Sequence, residues 1–414
     1  MKKILIIGLV ALGTAAGASI MTGRVFQEQF INLEAEFSKD PRLEVLDNTI
    51  NKGLFSSSGS MTLAMHLEEN QRLIIESPWQ ASHFPGWVNY AGQTLLNLEL
   101  GSQEVVNLLD EVGLDALQYE GTANWKKADF QMALEPFTFN DANAHLEVSG
   151  VNLTGTYHYS GEQMGLLTVT HLAFLEQNAA QTSLDLKGFN LSWNQKGSYP
   201  WVQGTADLTA ERIYFSNAQQ NIELTQPSWK QSLVFNQQAF DYLVSLDMGK
   251  VTSQGDELGM GRLTLKTENF DGQAMVDLIE AAAANPNIDR LEEKDLLVMT
   301  NAFNRLLSAS PVVVLQEFDL DLKAPIIFEQ KTTGKLSFDG RNLPTSYLQQ
   351  IESGGLDADD PINRTRLELN FSQLNPGLLM MIGIPTSMLN TDQAAQQLVF
   401  ENGMLKLNGN HIPL

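Results

Sequence analysis

Cysteine is absent from this sequence of 414 residues. The chain can therefore form neither disulfide bonds nor thiolate metal sites, and structural zinc held by cysteine is excluded. The absence fits a compartment outside the cytoplasm, where a stray thiol is a liability. At this length the chain has room for two or three units with cores of their own.

Basic residues are scarce. The chain has 26 lysines and arginines against 49 aspartates and glutamates, which gives a formal net charge of −23. Binding to nucleic acid depends on cations that neutralise phosphates, so we predict that this chain does not bind nucleic acid. The same charge should repel the body of the protein from anionic lipid surfaces, and we interpret the acidic excess as a solubility feature.

Motifs for catalysis, cofactors and metals are also missing. No two of the six histidines show the spacing that places two metal ligands on one helix face. The serine-rich segment 55–60 lacks the Gly-x-Ser-x-Gly turn of a nucleophile, and we predict a turn there before the first strand. Gly259 and Gly261 lack the third glycine of a dinucleotide loop. We predict no catalytic residue, no cofactor and no metal site, and an enzyme is the least favoured function.

An acidic loop comes nearest to a metal site. Asp357, Asp359 and Asp360 follow two glycines, and oxygen ligands at this spacing could hold calcium. The segment lacks the glycine and the distal glutamate that a helix-loop-helix calcium site requires. A solvated acidic loop is therefore the favoured interpretation.

The N-terminus carries the one apolar run that is long enough to span a bilayer, at residues 4–23. About 20 residues at roughly 1.5 Å per residue cover the ~30 Å hydrocarbon core. Lys2 and Lys3 precede the run and favour keeping that end in the cytoplasm. We predict an N-terminal transmembrane helix through residues 4–23, which places the protein in the inner membrane as a single-pass protein with the bulk of the chain in the periplasm.

A cleaved signal peptide is the alternative, because residues 16–18 have the small-x-small form of a cleavage site. The retained anchor is favoured because Ile20 and Met21 prolong the apolar run. A stripe at helical spacing then follows, comprising Phe26, Phe30, Leu33 and Phe37. We interpret this stripe as a helix packed on its own domain, with a helix at the membrane surface as the alternative.

Alternation of apolar and polar residues at period two dominates the rest of the chain and predicts half-buried strands. The apolar positions include Met61/Leu63/Met65/Leu67, Leu184/Leu186, Leu263/Leu265, Phe318/Leu320/Leu322, Leu336/Phe338, Leu367/Leu369/Phe371 and Leu405/Leu407. The polar opposite faces are typical of antiparallel sheets with one face in water. Glycine-containing segments at 187–190, 338–341 and 407–410 predict tight turns.

Helices are predicted in two places. Apolar residues in 103–112 share one broad face, and residues 274–309 carry two stripes separated by Asn285-Pro286-Asn287, which indicates a helical hairpin that covers the sheet. The predicted fold class is α+β and mainly β: a long antiparallel sheet of hairpins with a few covering helices, preceded by the transmembrane helix. The predicted domains are the anchor or signal peptide at 1–24, a β-rich region at 25–270, the helical hairpin at 271–311 and a second β-rich region at 312–414.

Four stretches carry a family resemblance: the Lys-Lys-apolar N-terminus, segment 52–57, the helical hairpin running into 310–315, and segment 401–410. In this order they resemble the YdgA-like family of bacterial inner-membrane proteins, which are built on a domain of unknown function. The family's His-Gly-Pro triplet has its nearest match here in His83-Phe84-Pro85-Gly86. The resemblance implies a single anchor and a periplasmic β-rich body, and it implies no established activity.

Two functions are favoured. The first is a cell-envelope protein that binds or handles a lipid or another amphipathic ligand, because a tether, an extended sheet and an apolar run at 378–384 occur together. The alternative is a structural or interaction module that recruits envelope proteins. The oligomeric state is left open.

Overall fold

The computed structural model describes residues 24, 27–28, 43–68, 71–100, 104–107, 109–110, 113–140, 144–176, 182–198, 200–284, 293–324, 327–357, 359–373 and 395–412. The predicted anchor at 4–23, the four stripe residues that end with Phe37, and the apolar run at 378–384 lie outside the described residues. No helix within these ranges is long and apolar enough to cross a membrane. The predicted class, mainly β with a long antiparallel sheet and few helices, is confirmed.

The chain divides into two compact units, Met1–Pro200 and Trp201–Leu414. Their boundary lies within the β-rich region predicted for residues 25–270. The sequence-based division into domains stays a prediction.

Strands make up most of the described part of the N-terminal unit: β1 (Leu43–Lys52), β2 (Ser56–Glu68), β3 (Gln71–Phe84), β4 (Trp87–Leu100), β5 (Glu104–Asn107), β6 (Leu117–Ala123), β7 (Lys127–Leu134), β8 (Phe137–Asn140), β9 (Ala144–His158), β10 (Glu162–Glu176) and β11 (Ser183–Ser198). Their spatial order is β1-β2-β3-β4-β6-β7-β9-β10-β11, with every pair antiparallel. The short strand β5 pairs with the end of β4, and β8 pairs with the first half of β9. Strands that follow each other in sequence thus lie mostly side by side, as predicted for a sheet of hairpins.

Glycines and aromatic rings face each other across neighbouring strands of this unit. The directly opposed pairs are Gly59–Trp79, Gly92–Tyr119, Gly121–Tyr90, Gly155–Phe130 and Gly165–Trp193. A Cβ atom built on any of these glycines would overlap the opposing ring. Each ring therefore lies over the bare backbone of its glycine partner, which lets large side chains fill one face of the sheet without a second layer of bulky residues.

Two local predictions in this unit are wrong. Segment 187–190 is not a turn: Gly188 lies within β11 with a φ of 59°, and Gly150 of β9 has a φ of 61°. Positive φ at glycine bends these strands without reversing them. The helix predicted over 103–112 is wrong at residues 104–107, which form β5, because Val105 and Val106 pair with the end of β4.

The C-terminal unit combines strands with helices. Its elements are β12 (Trp201–Thr209), β13 (Arg212–Ser216), β14 (Asn221–Thr225), β15 (Ser228–Phe235), β16 (Phe240–Ser253), β17 (Asp256–Glu268), α1 (Gly272–Ala284), α2 (Glu293–Ser308), β18 (Val312–Leu322), β19 (Phe328–Phe338), α3 (Tyr347–Glu352), α4 (Asp360–Arg364), β20 (Thr365–Gln373), β21 (Gln396–Glu401), β22 (Met404–Leu407) and β23 (Asn410–Ile412). From β15 to β23 each strand pairs antiparallel with the next.

The two helices predicted within residues 274–309 are confirmed as α1 and α2. The two helices approach closely because Ala274 and Ala302 are fully buried at their contact, with Leu306 beside them. Arg305 of α2 forms an ion pair with Asp277 of α1.

The predicted turn at 407–410 is also confirmed. Asn408 and Gly409 connect β22 to β23 with φ angles of 50° and 81°. Positive φ at both central residues is the geometry that an Asn-Gly hairpin adopts.

Candidate functional site

An open cavity of about 1540 Å³ crosses the sheet of the N-terminal unit from the end of β1 to β10. Two rows of cross-strand neighbours run along its wall. The first row is Ser56, Ser82, Asn89, Thr122, Asp129, Thr156 and Met164, and the second is Ser58, Gln80, Ala91, Glu120, Gln131, Thr154 and Leu166. Because directly opposed residues of neighbouring strands point to the same side of a sheet, both rows belong to one face.

A second open cavity of about 880 Å³ continues along this face. It shares Ser58, Gln80 and Thr154 with the first and adds Gln93, Gln118 and Asn152, among other residues. Hydroxyl and amide side chains dominate both walls. The face can therefore donate and accept many neutral hydrogen bonds, whereas Ala91, Met164 and Leu166 supply apolar surface.

Asp129 is the best-connected carboxylate of the wall. Its Oδ1 atom accepts hydrogen bonds from Thr156 Oγ1 at 2.6 Å and from Lys127 Nζ at 2.8 Å. Partial burial favours the neutral acid, but these two hydrogen bonds and the charge of Lys127 outweigh it and lower the pKa of Asp129 below its ordinary value. Asp129 is therefore a fixed, paired anion at neutral pH.

The opposite face of the same strands is mostly apolar. Trp79, Ala81, Val88 and Ala123 form its buried cluster. Tyr90 lies over Gly121 and donates its hydroxyl to the Asp129 carbonyl at 2.8 Å. Burial raises the pKa of Tyr90 well above its ordinary value, so the phenol keeps the proton that it donates.

A buried serine–histidine pair lies on this mostly apolar face, at the end of the sheet where β1 turns into β2. Ser57 Oγ is 2.9 Å from His83 Nε2, and both residues are only 5% exposed. Burial lowers the pKa of His83, and a backbone hydrogen bond with Leu54 partly opposes this shift. The imidazole is therefore held neutral.

The geometry of this pair supplies two parts of a nucleophilic site but not the third. No carboxylate in the described part of the chain hydrogen-bonds to His83, so nothing there would stabilise an imidazolium. The turn predicted at 55–60 is wrong at residues 56–60, because these residues already belong to β2. The chain reverses at residues 53–55. Ser57 and His83 are 26 positions apart in the sequence, which gives no signal of their contact, and only the β2–β3 register brings them together.

The acidic loop does not converge on a metal site. Asp360 pairs with Arg364 at 2.6 Å, and Asp357 Oδ1 accepts the backbone N–H of Asp359. Among the described residues, no group of three or more histidine or carboxylate side chains is placed to hold a metal ion. The side chains of Asp357 and Asp360 thus serve the local structure around α4.

Comparison with known proteins places the chain in a family. The sequence model of a bacterial protein family of unknown function, DUF945, matches residues 1–325. No significant match was found among curated proteins or among solved structures. Since the match covers well over half of the chain, the protein belongs to this bacterial family of unknown function.

Proposed function

We propose that this protein is anchored in the bacterial inner membrane by residues 4–23 and uses the polar sheet face of its periplasmic N-terminal unit to bind an amphipathic ligand. The observation that carries the proposal is the cavity lined by two continuous rows of side chains. Lys2, Lys3 and the apolar run at 4–23 support the anchor. The finer assignment to YdgA-like members of the family belongs to the same proposal.

The wall chemistry narrows the class of ligand. Serine, threonine, asparagine and glutamine side chains favour a polar part with hydroxyl or amide groups. Glu120 and Asp129 are the carboxylates on the two rows and disfavour an anionic group beside them. Met164 and Leu166 at the β10 end offer contact to an apolar part. The proposed ligand is therefore a lipid or another amphipath whose polar part is uncharged or cationic.

Native mass spectrometry of the full chain extracted from membranes tests this proposal. Wild-type protein should carry bound amphipathic molecules, whereas Ala91→Trp, which fills the middle of the wall, should lose them. Val105→Trp is the matched control, since Val105 is 61% exposed on β5 and does not line the cavity. Equal loading of wild type and Ala91→Trp would overturn the ligand assignment.

The same spectrum tests the anchor. A retained anchor predicts the intact mass from Met1 to Leu414. A shorter protein that begins after Ala18 would show that the segment is a cleaved signal peptide and would overturn this part of the proposal.

A protein-interaction role is the second candidate, favoured by the helical hairpin. Leu296 and Leu297 of α2 are 49% and 57% exposed, and Phe303 is exposed on the same helix. Apolar side chains grouped in this way mark contact surfaces for other proteins. A photo-crosslinker at Leu297 should capture a defined envelope protein if this role holds, and a crosslinker at exposed Asn301 is the control.

A further inference from the structure

A rim of exposed apolar side chains lies at one end of the N-terminal unit. The turns β1–β2, β3–β4 and β6–β7 all fall at this end, because Lys52 opposes Ser57, Phe84 opposes Trp87 and Ala123 opposes Ala128. These turns and their flanking residues present Leu54, Phe55, Phe84, Trp87 and Trp125, the group that we call the aromatic rim. Leu54 and Trp125 are 62% and 58% exposed.

Contacts between neighbouring turns hold the rim in place. The His83 N–H donates to the Phe55 carbonyl at 2.8 Å, and the rings of Phe84 and Trp87 stack with centroids 5.5 Å apart. A Cβ atom built on Gly86 would be 3.9 Å from the Trp125 ring, so the β3–β4 and β6–β7 turns lie close together. The rim is therefore one connected surface.

The Trp125 turn is itself fixed by hydrogen bonds. Asn124 Oδ1 accepts the backbone N–H groups of Lys126 and Lys127 at 2.8 and 3.1 Å. The Lys126 carbonyl accepts the N–H of Tyr159 at 2.9 Å. The exposed indole is thus held outward on a braced turn, so its exposure does not reflect a loose loop.

The charges beside the rim differ from those of the whole chain. Lys52 and Lys126 are exposed at the ends of their turns, and Lys127 neutralises Asp129. Lys196 lies opposite Glu162, the carboxylate at the β9–β10 turn of this edge. A chain with a net charge of −23 therefore has lysines beside the exposed aromatic residues of this rim.

We propose that the aromatic rim inserts into the interfacial layer of a phospholipid bilayer. Tryptophan is enriched where membrane meets water, because its ring is apolar and its N–H is polar. Phenylalanine and leucine beside it can enter the boundary between headgroups and acyl chains by roughly 5–10 Å, and lysines can pair with anionic headgroups. The rim borders the cavity, since Lys52, Ser56 and Ser82 line its wall. Insertion would present this end of the cavity to the lipid.

Side chains of the folded sheet, and not residues 4–23, make this proposed membrane contact. Since the chain has no cysteine, single cysteines can be introduced for labelling. Leu54→Cys and Trp125→Cys report on the rim. Val105→Cys is a matched control of similar exposure. Val105 lies opposite Glu99 of β4, and at roughly 3.3 Å per residue Glu99 is about 40 Å from Trp87 along that strand.

The full-length variants are labelled with bimane and reconstituted into vesicles of phosphatidylcholine and phosphatidylglycerol with brominated acyl chains. Insertion predicts quenching of bimane at positions 54 and 125 and none at position 105. Equal quenching at all three positions, or none at 54 and 125, would overturn the inference. Either result leaves the anchor to be judged by the intact mass. Circular dichroism of each variant checks that the sheet is retained.

Two further results separate the possible partners of the rim. Lys52→Gln with Lys126→Gln should reduce quenching in phosphatidylglycerol vesicles to the level found in phosphatidylcholine alone. Unchanged quenching would overturn the role of the lysines. Efficient disulfide crosslinking between copies of Trp125→Cys, without quenching, would instead assign the rim to a second copy of the chain and overturn the bilayer as its partner.

Discussion

At the scale of single residues, burial decides the chemistry of the serine–histidine pair. A histidine on the surface would change its charge near neutral pH, but His83 is enclosed beside Ser57 and its pKa is lowered. Neither a serine nor a histidine in the sequence indicates that its side chain is buried. The period-two pattern at residues 61–67 indicates the strand that contains Ser57, but the contact follows from the opposition of Ser57 and Ala81. This pairing places His83 as the diagonal neighbour of Ser57 on the same face.

His83 should make stability depend on pH. Its folded pKa lies below the ordinary value of 6.5, so the stability contributed by the neutral ring is complete above pH 6.5 and is lost as the pH falls toward the folded pKa. The gap in urea midpoint between wild type and His83→Gln should therefore be larger at about pH 7.5 than at about pH 5. A gap that does not change with pH would contradict this prediction.

A single glycine should also be essential to the sheet. Gly165→Ala places a methyl group against the Trp193 ring, and we expect a loss of about 1–3 kcal/mol in the free energy of unfolding from overpacking. Urea denaturation followed by circular dichroism measures it. The double variant Gly165→Ala, Trp193→Val should show a smaller loss than the two single losses added together, because it relieves the clash. Simple additivity would argue against the ring contact.

At the scale of elements, a prediction from the sequence is correct where an element forms from neighbouring residues and wrong where its form depends on strand pairing. The two helices of the hairpin and the Asn408-Gly409 turn form as predicted, because caps, breaks and positive φ act within a few residues. The helix expected at 103–112 is wrong at residues 104–107, because the apolar side chains there are also accommodated by a strand that pairs with the edge of β4.

The β22–β23 hairpin gives a test at this scale. Gly409 has a φ of 81° with open space around it, so Gly409→Ala meets backbone strain and no steric clash. We expect a loss of at least about 1 kcal/mol in unfolding free energy. Gly355→Ala is the control in the same unit, because its Cβ would meet only ordinary contacts and its φ is not in the left-handed region. Equal effects of the two substitutions would count against strain at the turn.

At the scale of the whole molecule, the acidic excess should control association. The formal charge is −23 at pH 7, and the isoelectric point is near 4.6. As carboxylates gain protons the mutual repulsion of the chains falls, so light scattering of the detergent-extracted protein should rise as the pH approaches 4.6. Constant scattering from neutral pH to that point would show that charge does not keep the chains apart.

Composition and periodicity alone determined the mainly β class, the positions of strands such as β2, β18 and β20, the two helices α1 and α2, and the lack of thiol chemistry. These features depend on neighbours within a few residues, which the sequence displays directly. Tertiary structure decided the rows of the cavity wall, the contact of Ser57 with His83 and the aromatic rim. Each of them joins residues from several hairpins, and their meeting depends on strand register, in which a shift of one residue turns every side chain to the other face.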